Sequence, residues 1–106
     1  MARPIPAWQQ QPERVRFPRQ GEVLGVVEQL LGYAKMRVKC LDGKTRICRV
    51  PGKLMRALWI NERDIVLIKP WEIQHEDRGD VIYKYRKTQV AVLKSKGFLK
   101  GLESEL

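Results

Sequence analysis

Residues 34–59 read AKMRVKCLDGKTRICRVPGKLMRALW, and they carry Arg37, Lys39, Lys44, Arg46, Lys53 and Arg56, with Arg63 close behind. Side chains of this kind bind polyanions. Arg offers a planar fork to two phosphate oxygens, and Lys offers a point charge. Trp59, between Arg56 and Arg63, could stack on an unpaired base, an interaction worth about 1–3 kcal/mol. Its competing role is to close the core of a small domain. Catalytic sets do not accompany these cations. Pro51-Gly52-Lys53 lacks the upstream glycine and following hydroxyl of a phosphate-cradling loop. No Ser/His/acid or Cys/His arrangement is visible. Cys40, Cys48 and His75 are too few soft ligands for a zinc site, and Glu76, Asp77 and Asp80 lack calcium-loop spacing. The expectation is a binding protein rather than an enzyme, with no cofactor and no metal.

Positioning these cations falls to a β-hairpin. Asp42-Gly43 lies between two half-apolar runs, and both residues tolerate the positive φ of a tight primed turn. A two-residue loop sets Lys39 against Arg46 and Val38 against Ile47. Alternation then places Met36, Val38, Cys40, Thr45 and Ile47 on the core face and Arg37, Lys39, Lys44 and Arg46 on the open one. A three-residue loop would drive the Arg46 charge into the core, so it is disfavoured. In the favoured register Cys40 is buried, Cys48 is a surface thiol on the opposite face, and no disulfide forms between them. Ile47 and Val50 cannot both be buried by strict alternation, which predicts a bulge near Cys48-Arg49. Changing Lys39 and Arg46 together to glutamate is expected to weaken binding while the fold survives.

Residues 1–20 form a basic arm, broken by Pro4, Pro6, Pro12 and Pro18 and charged by Arg14, Arg16 and Arg19. Such an arm can become ordered on its target, or Val15 and Phe17 can clasp the domain edge. Residues 21–86 are the expected barrel. The first strand is 22–31, with Gly25 marking a bend, followed by the hairpin. One to two helical turns over 53–58, a fourth strand over 64–69, a polar acidic loop over 71–79 and a fifth strand over 80–85 complete it. Residues 87–106 form a terminal helix, capped by Thr88 and stopped by Gly97, and a frayed tail. Five strands with a helical turn between the third and fourth fit a mainly β, five-stranded Greek-key barrel of the oligonucleotide-binding type.

The 106 residues suffice for one small core. A net charge of +9 points to nucleic acid or an anionic membrane. Neither a membrane span nor a basic helix with an apolar membrane face is visible, so nucleic acid leads and no membrane role is expected. The N-terminus lacks the apolar stretch of a secretion signal, which implies a cytoplasmic protein. The hairpin's open face carries no aromatic residue, unlike the stacking platforms of many single-strand binders. That favours folded RNA read by backbone and shape.

Taken together, Leu31-Gly32, Leu41-Asp42-Gly43-Lys44, Arg46-Ile47-Cys48, Gly52-Lys53-Leu54, Trp59-Ile60-Asn61, Asp64-Ile65 and Asp80-Val81-Ile82-Tyr83-Lys84-Tyr85 resemble the translation initiation factor 1A family, in its archaeal form. The resemblance spans about residues 28–99. It implies a monomeric barrel in the A site of the small ribosomal subunit that supports initiator tRNA recruitment and start-site selection. The implied partners are small-subunit RNA, the initiator tRNA complex with initiation factor 2, initiation factor 1 and factor 5B. By position, Lys53 and Arg56 match the family's basic loop facing decoding-site RNA, and Trp59 matches an aromatic that contacts those bases. Met55-Arg56-Ala57 replaces a more lysine-rich run of eukaryotic members. Of their long acidic tail only Glu103 and Glu105 remain, so tail-based docking on factor 5B is not implied. The alternative is a general single-stranded nucleic-acid-binding module or RNA chaperone on the same barrel.

Overall fold

The computed structural model describes residues 15–32, 34–52 and 60–102. Five strands close into a barrel: β1 (Val23–Leu30), β2 (Lys35–Cys40), β3 (Thr45–Arg49), β4 (Ile65–Pro70) and β5 (Arg78–Lys84). One helix, α1 (Lys87–Ser95), follows. The order around the barrel is β1-β2-β3-β5-β4, returning to β1. All pairings are antiparallel except β3 with β5. This is the five-stranded oligonucleotide-binding topology expected from the sequence. The helical turn expected over 53–58 lies outside the described residues.

The apolar pattern of each strand follows from what covers its two faces. β2 alternates exposed and buried residues because only its inner side is covered. Val27, Met36, Val38, Cys40, Val66, Ile68 and Val81 fill the interior. Leu24-Gly25-Val26-Val27 and Ile65-Val66-Leu67-Ile68 are instead buried without interruption. Their outward members, Leu24, Val26, Ile65 and Leu67, pack with Tyr85, Leu93, Leu99 and Leu102 in a second core outside the barrel. That second core depends on α1 and the residues behind it. The tail expected to fray, residues 101–106, therefore contains Leu102 at 1% exposure, just behind Leu99 at 0%.

The helix starts two residues earlier than a Thr88 cap would set it. Arg86 is the N-cap, and its backbone N–H donates to Gln89 Oε1 at 2.8 Å. Gly97 ends the helix as expected, with φ +80°. The Phe98 N–H donates to the Leu93 carbonyl and the Gly97 N–H to that of Lys94, the paired bonds of a Schellman stop. The clasp expected of Val15 and Phe17 is present. Val15 packs into the outer core, Phe17 stacks on Phe98 with centroids 5.0 Å apart, and the Tyr85 hydroxyl donates to the Arg16 carbonyl.

The hairpin register differs from the expected one. Lys39 lies opposite Thr45, Val38 opposite Arg46, Arg37 opposite Ile47 and Met36 opposite Cys48. The loop is Leu41-Asp42-Gly43, closed by the Cys40 N–H donating to the Lys44 carbonyl at 2.8 Å. A primed two-residue turn needs positive φ at both central residues. Gly43 has φ +88°, whereas Asp42 is not among the residues of positive φ. One residue of slip exchanges the faces of β3. Arg46 and Cys48 turn inward, Thr45 is exposed and Ile47 is half-buried on the outside. Cys48 is therefore a buried thiol, not a surface one, and shares the inner face with Cys40; both are free. Regular alternation buries Arg46, Cys48 and Val50, so no bulge is needed at Cys48-Arg49. Register shifts occur instead between Val27 and Gln29 of β1 and between Leu67 and Ile68 of β4.

Candidate nucleic-acid interface

Arg46 shows what made the three-residue loop acceptable. Its side chain is 2% exposed, and its guanidinium is enclosed by acceptors. Nη1 and Nη2 donate to the two Asp42 carboxylate oxygens at 3.1 and 2.8 Å, and Nε donates to the His75 carbonyl at 2.6 Å. The bidentate fork offsets the cost of burying the charge. Burial works against ionisation of Asp42, but the Arg46 bonds and the Lys44 N–H hold its carboxyl below the usual range. Burial also pushes the Cys48 thiol up to about 12, so it stays a protonated packing group. Arg46 thus closes one end of the barrel and is not on the open face where the sequence placed it.

The other predicted cations separate. Arg37 and Lys39 do share the outer face of β2, half-buried at Lys39 and exposed at Arg37. Arg37 donates to neutral Gln29 at 3.0 Å. Lys44 lies at the turn and pairs with Glu76 of the 71–77 loop at 3.1 Å. Arg63 is exposed beyond β1, and its N–H donates to the Val27 carbonyl. Arg16 pairs with Glu22 at 3.3 Å, while the Arg19 side chain is exposed. Arg14, Lys53, Arg56 and Trp59 lie outside the described residues.

The register that removes Arg46 from the face supplies others. Lys35 lies opposite Arg49, and Ile47 lies beside Arg78 across the parallel β3–β5 pair. Lys35, Arg37, Lys39, Arg49 and Arg78 therefore share the outer surface of β2, β3 and the start of β5. Asp80 is the acid among them. It accepts from Arg49 Nε at 3.1 Å and from Trp71 Nε1 at 2.9 Å, and the Arg49 guanidinium lies 5.2 Å from the Trp71 ring centroid. Lys35, Arg37 and Arg78 form no ion pair among the described residues. The sequence signal for Lys35 was available in the alternation of β2 and that for Arg49 in the alternation about Ile47, the latter only in the correct register; Arg78 joins through the β3–β5 pairing. Among the described residues no group of three or more His, Cys, Asp or Glu could hold a metal ion. None of the described helices is long and apolar enough to cross a membrane.

Comparison with known proteins matches residues 12–105 to the family described as Translation initiation factor 1A / IF-1. The chain is 52% identical over 93 residues to translation initiation factor 1A of Methanococcus aeolicus, covering 86% of this chain and 89% of that one. It is 48% identical over 91 residues to the factor of Methanothermobacter thermautotrophicus, covering 86% and 92%. Among solved structures it is similar to the translation initiation factor 1 from the Wolbachia endosymbiont of Brugia malayi. That similarity has a TM-score of 0.48 at 33% identity, over 63% of this chain and 79% of the other. With a family model spanning nearly the whole length and archaeal relatives at about half identity, the chain belongs to the translation initiation factor 1A / IF-1 family.

Proposed function

We propose that this protein acts in the cytoplasm as an initiation factor that docks in the A site of the small ribosomal subunit. There it supports initiator tRNA recruitment and start-site selection, alongside the initiator tRNA complex with factor 2, factor 1 and factor 5B. The observation that carries the docking is the open β2–β3–β5 face, where five cations surround one acid. Three strands hold these charges on a rigid base, which suits the phosphate lattice of folded RNA. Lys53, Arg56 and Trp59 follow β3 directly in the chain and extend the proposed contact. Arg14 and Arg19, on either side of Val15 and Phe17 in the chain, are a separate contact of the N-terminal arm in this reading. Lys44 joins only by giving up Glu76. Arg46, buried against Asp42, is left out, and so is Arg63 on the far side of β1.

Trp71 is the aromatic beside this face among the described residues, and Arg49 already covers its ring. This favours backbone reading over base stacking. Co-sedimentation tests the reading. Lys35→Glu with Arg37→Glu should weaken binding to small subunits at least about tenfold, since each reversal removes one phosphate contact and adds a repulsion, with the melting temperature little changed. Unaltered affinity would refute the surface. If the native protein held free oligonucleotides as tightly as subunits at physiological salt, the general single-strand or RNA-chaperone reading would replace it.

A further inference from the structure

A cleft of about 520 Å³ lies on the other side of the molecule, between α1 and the 61–64 turn. Ile65, Tyr85, Val90 and Ala91 line it; Ile65 and Tyr85 are buried at its base, at 2% and 3% exposure, and half-buried Val90 and exposed Ala91 supply its open apolar surface. Its rim carries both signs of charge, but only the cations are unengaged. Asp64 accepts from the Asn61 N–H at 2.7 Å and pairs with Lys84 at 3.3 Å, and Glu62 accepts from the Leu30 N–H at 3.4 Å. Arg63, Lys87 and Lys94 are exposed and form no ion pair among the described residues. Arg63 is held at φ +74°, a left-handed conformation unusual for a side-chain-bearing residue, by its N–H bond to the Val27 carbonyl at 2.7 Å.

From this arrangement we infer that the cleft is a docking site for an amphipathic acidic segment of a partner protein, with apolar side chains on the floor and carboxylates on the cationic rim. Lys87 and Lys94 are separated by seven residues of α1, about 10 Å along its axis. A helical or turn-like segment could meet both with carboxylates two turns apart while filling the groove between them. The floor argues against a base-stacked single strand, and an apolar lining between the cations is not what a phosphate backbone needs. Tyr85 is 3% exposed, and its hydroxyl is committed to the Arg16 carbonyl, so no aromatic face is offered to a base. The occupant is recognised by charge and apolar contact together, which the β2–β3 face does not provide. The inference is independent of ribosome docking.

The test uses the full chain, labelled with ¹⁵N, and a synthetic peptide of about 14 residues, four helical turns, made of glutamate and leucine in an amphipathic order. A peptide with serine at every leucine position and a single-stranded oligouridylate serve as comparisons. The expected result is movement of the Ile65, Val90, Ala91 and Lys94 amides with the leucine peptide. Lys87→Glu with Lys94→Glu, and separately Ala91→Glu at an exposed helix position, should each lose at least about tenfold in affinity. Subunit binding should persist in both variants, and circular dichroism should show the native fold. The inference is overturned by equal binding of the serine peptide, by shifts mapping to the β2–β3 face, by undiminished affinity in the variants, or by stronger movement of the cleft amides with oligouridylate.

Discussion

One buried arginine decides most of what happens around the hairpin. Arg46 and Asp42 are not symmetric partners. Arg46 is 2% exposed and Asp42 38%, so only the carboxylate can return to water when its partner is lost. Asp42→Ala should strand a buried guanidinium with only the His75 carbonyl and the weakly accepting Cys40 sulfur beside it and cost about 3 kcal/mol. Arg46→Met keeps the stem packing and removes the buried charge, and should cost about 1 kcal/mol or less. Urea unfolding of the two variants checks the order, and an equal loss would show that the pair is not closing the barrel end. Arg46→Glu belongs to the same logic. It sets a second carboxylate at the buried Arg46 position beside Asp42, so the Lys39/Arg46 double reversal suggested by the sequence should unfold the domain rather than report on binding. The pair also sets an acid limit. The folded-state pKa of Asp42 is depressed, so its contribution is present above the unfolded value of about 3.9 and is lost as pH falls through the lower folded one. The urea midpoint of the native protein should fall over that window by more than that of Asp42→Asn. Identical pH profiles would exclude Asp42 as the source.

At the scale of elements, the second core predicts that the chain end is structural. Leu99 and Leu102 lie behind the Gly97 stop yet are fully buried. Leu99→Ala should cost about 2–4 kcal/mol, as truncations of buried leucines do, whereas Lys100→Ala, at an exposed position beside it, should change the thermal midpoint little. A small effect at Leu99 would mean that the outer core does not need this segment. The number, order and type of strands were legible in the sequence because turn residues and apolar runs bound them. The uninterrupted runs in β1 and β4 also announced burial on both faces, but not by what. Leucines spaced among Gly97, Lys100 and Gly101 carry no helical or strand period, so their burial was invisible to pattern reading. The hairpin register was misjudged for a related reason. A charged residue facing inward reads as a pure cost in a strand pattern, whereas the turn that places it there also supplies Asp42 as its partner. Local pattern placed Arg37 and Lys39 on the outer face of β2, where the structure has them. Lys35 has the same parity on β2 and was equally legible. Arg49 was hidden because a slip of one position exchanges every residue of β3 between faces, and Arg78 because it reaches the patch only through the parallel β3–β5 pairing.

Over the whole molecule, the barrel separates two kinds of outer surface. Where α1 and the clasp of Val15 and Phe17 cover it, the outward residues are apolar. Where β2, β3 and the start of β5 stay open, they are cationic. A net charge of +9 would by itself give only diffuse attraction to RNA, and screening would erase most of it beyond about 8 Å at physiological salt. The closed sheet makes the attraction local, because cross-strand pairing fixes Lys35 by Arg49 and Ile47 by Arg78 whatever the solvent does. Binding to small subunits should therefore show a steep dependence on salt, and neutralising Lys35, Arg37 and Arg78 together should lower the slope of log affinity against log salt by about one for each phosphate contact removed. The comparison that gives this meaning is Lys87→Gln with Lys94→Gln, which removes charge from the same molecule but from the covered side. If diffuse charge governs association, both sets lower the slope in proportion to the charge lost. If the open face docks on phosphates, the α1 pair leaves the slope nearly unchanged while the strand set reduces it. Measuring both slopes across the same salt series separates a placed surface from a merely basic protein.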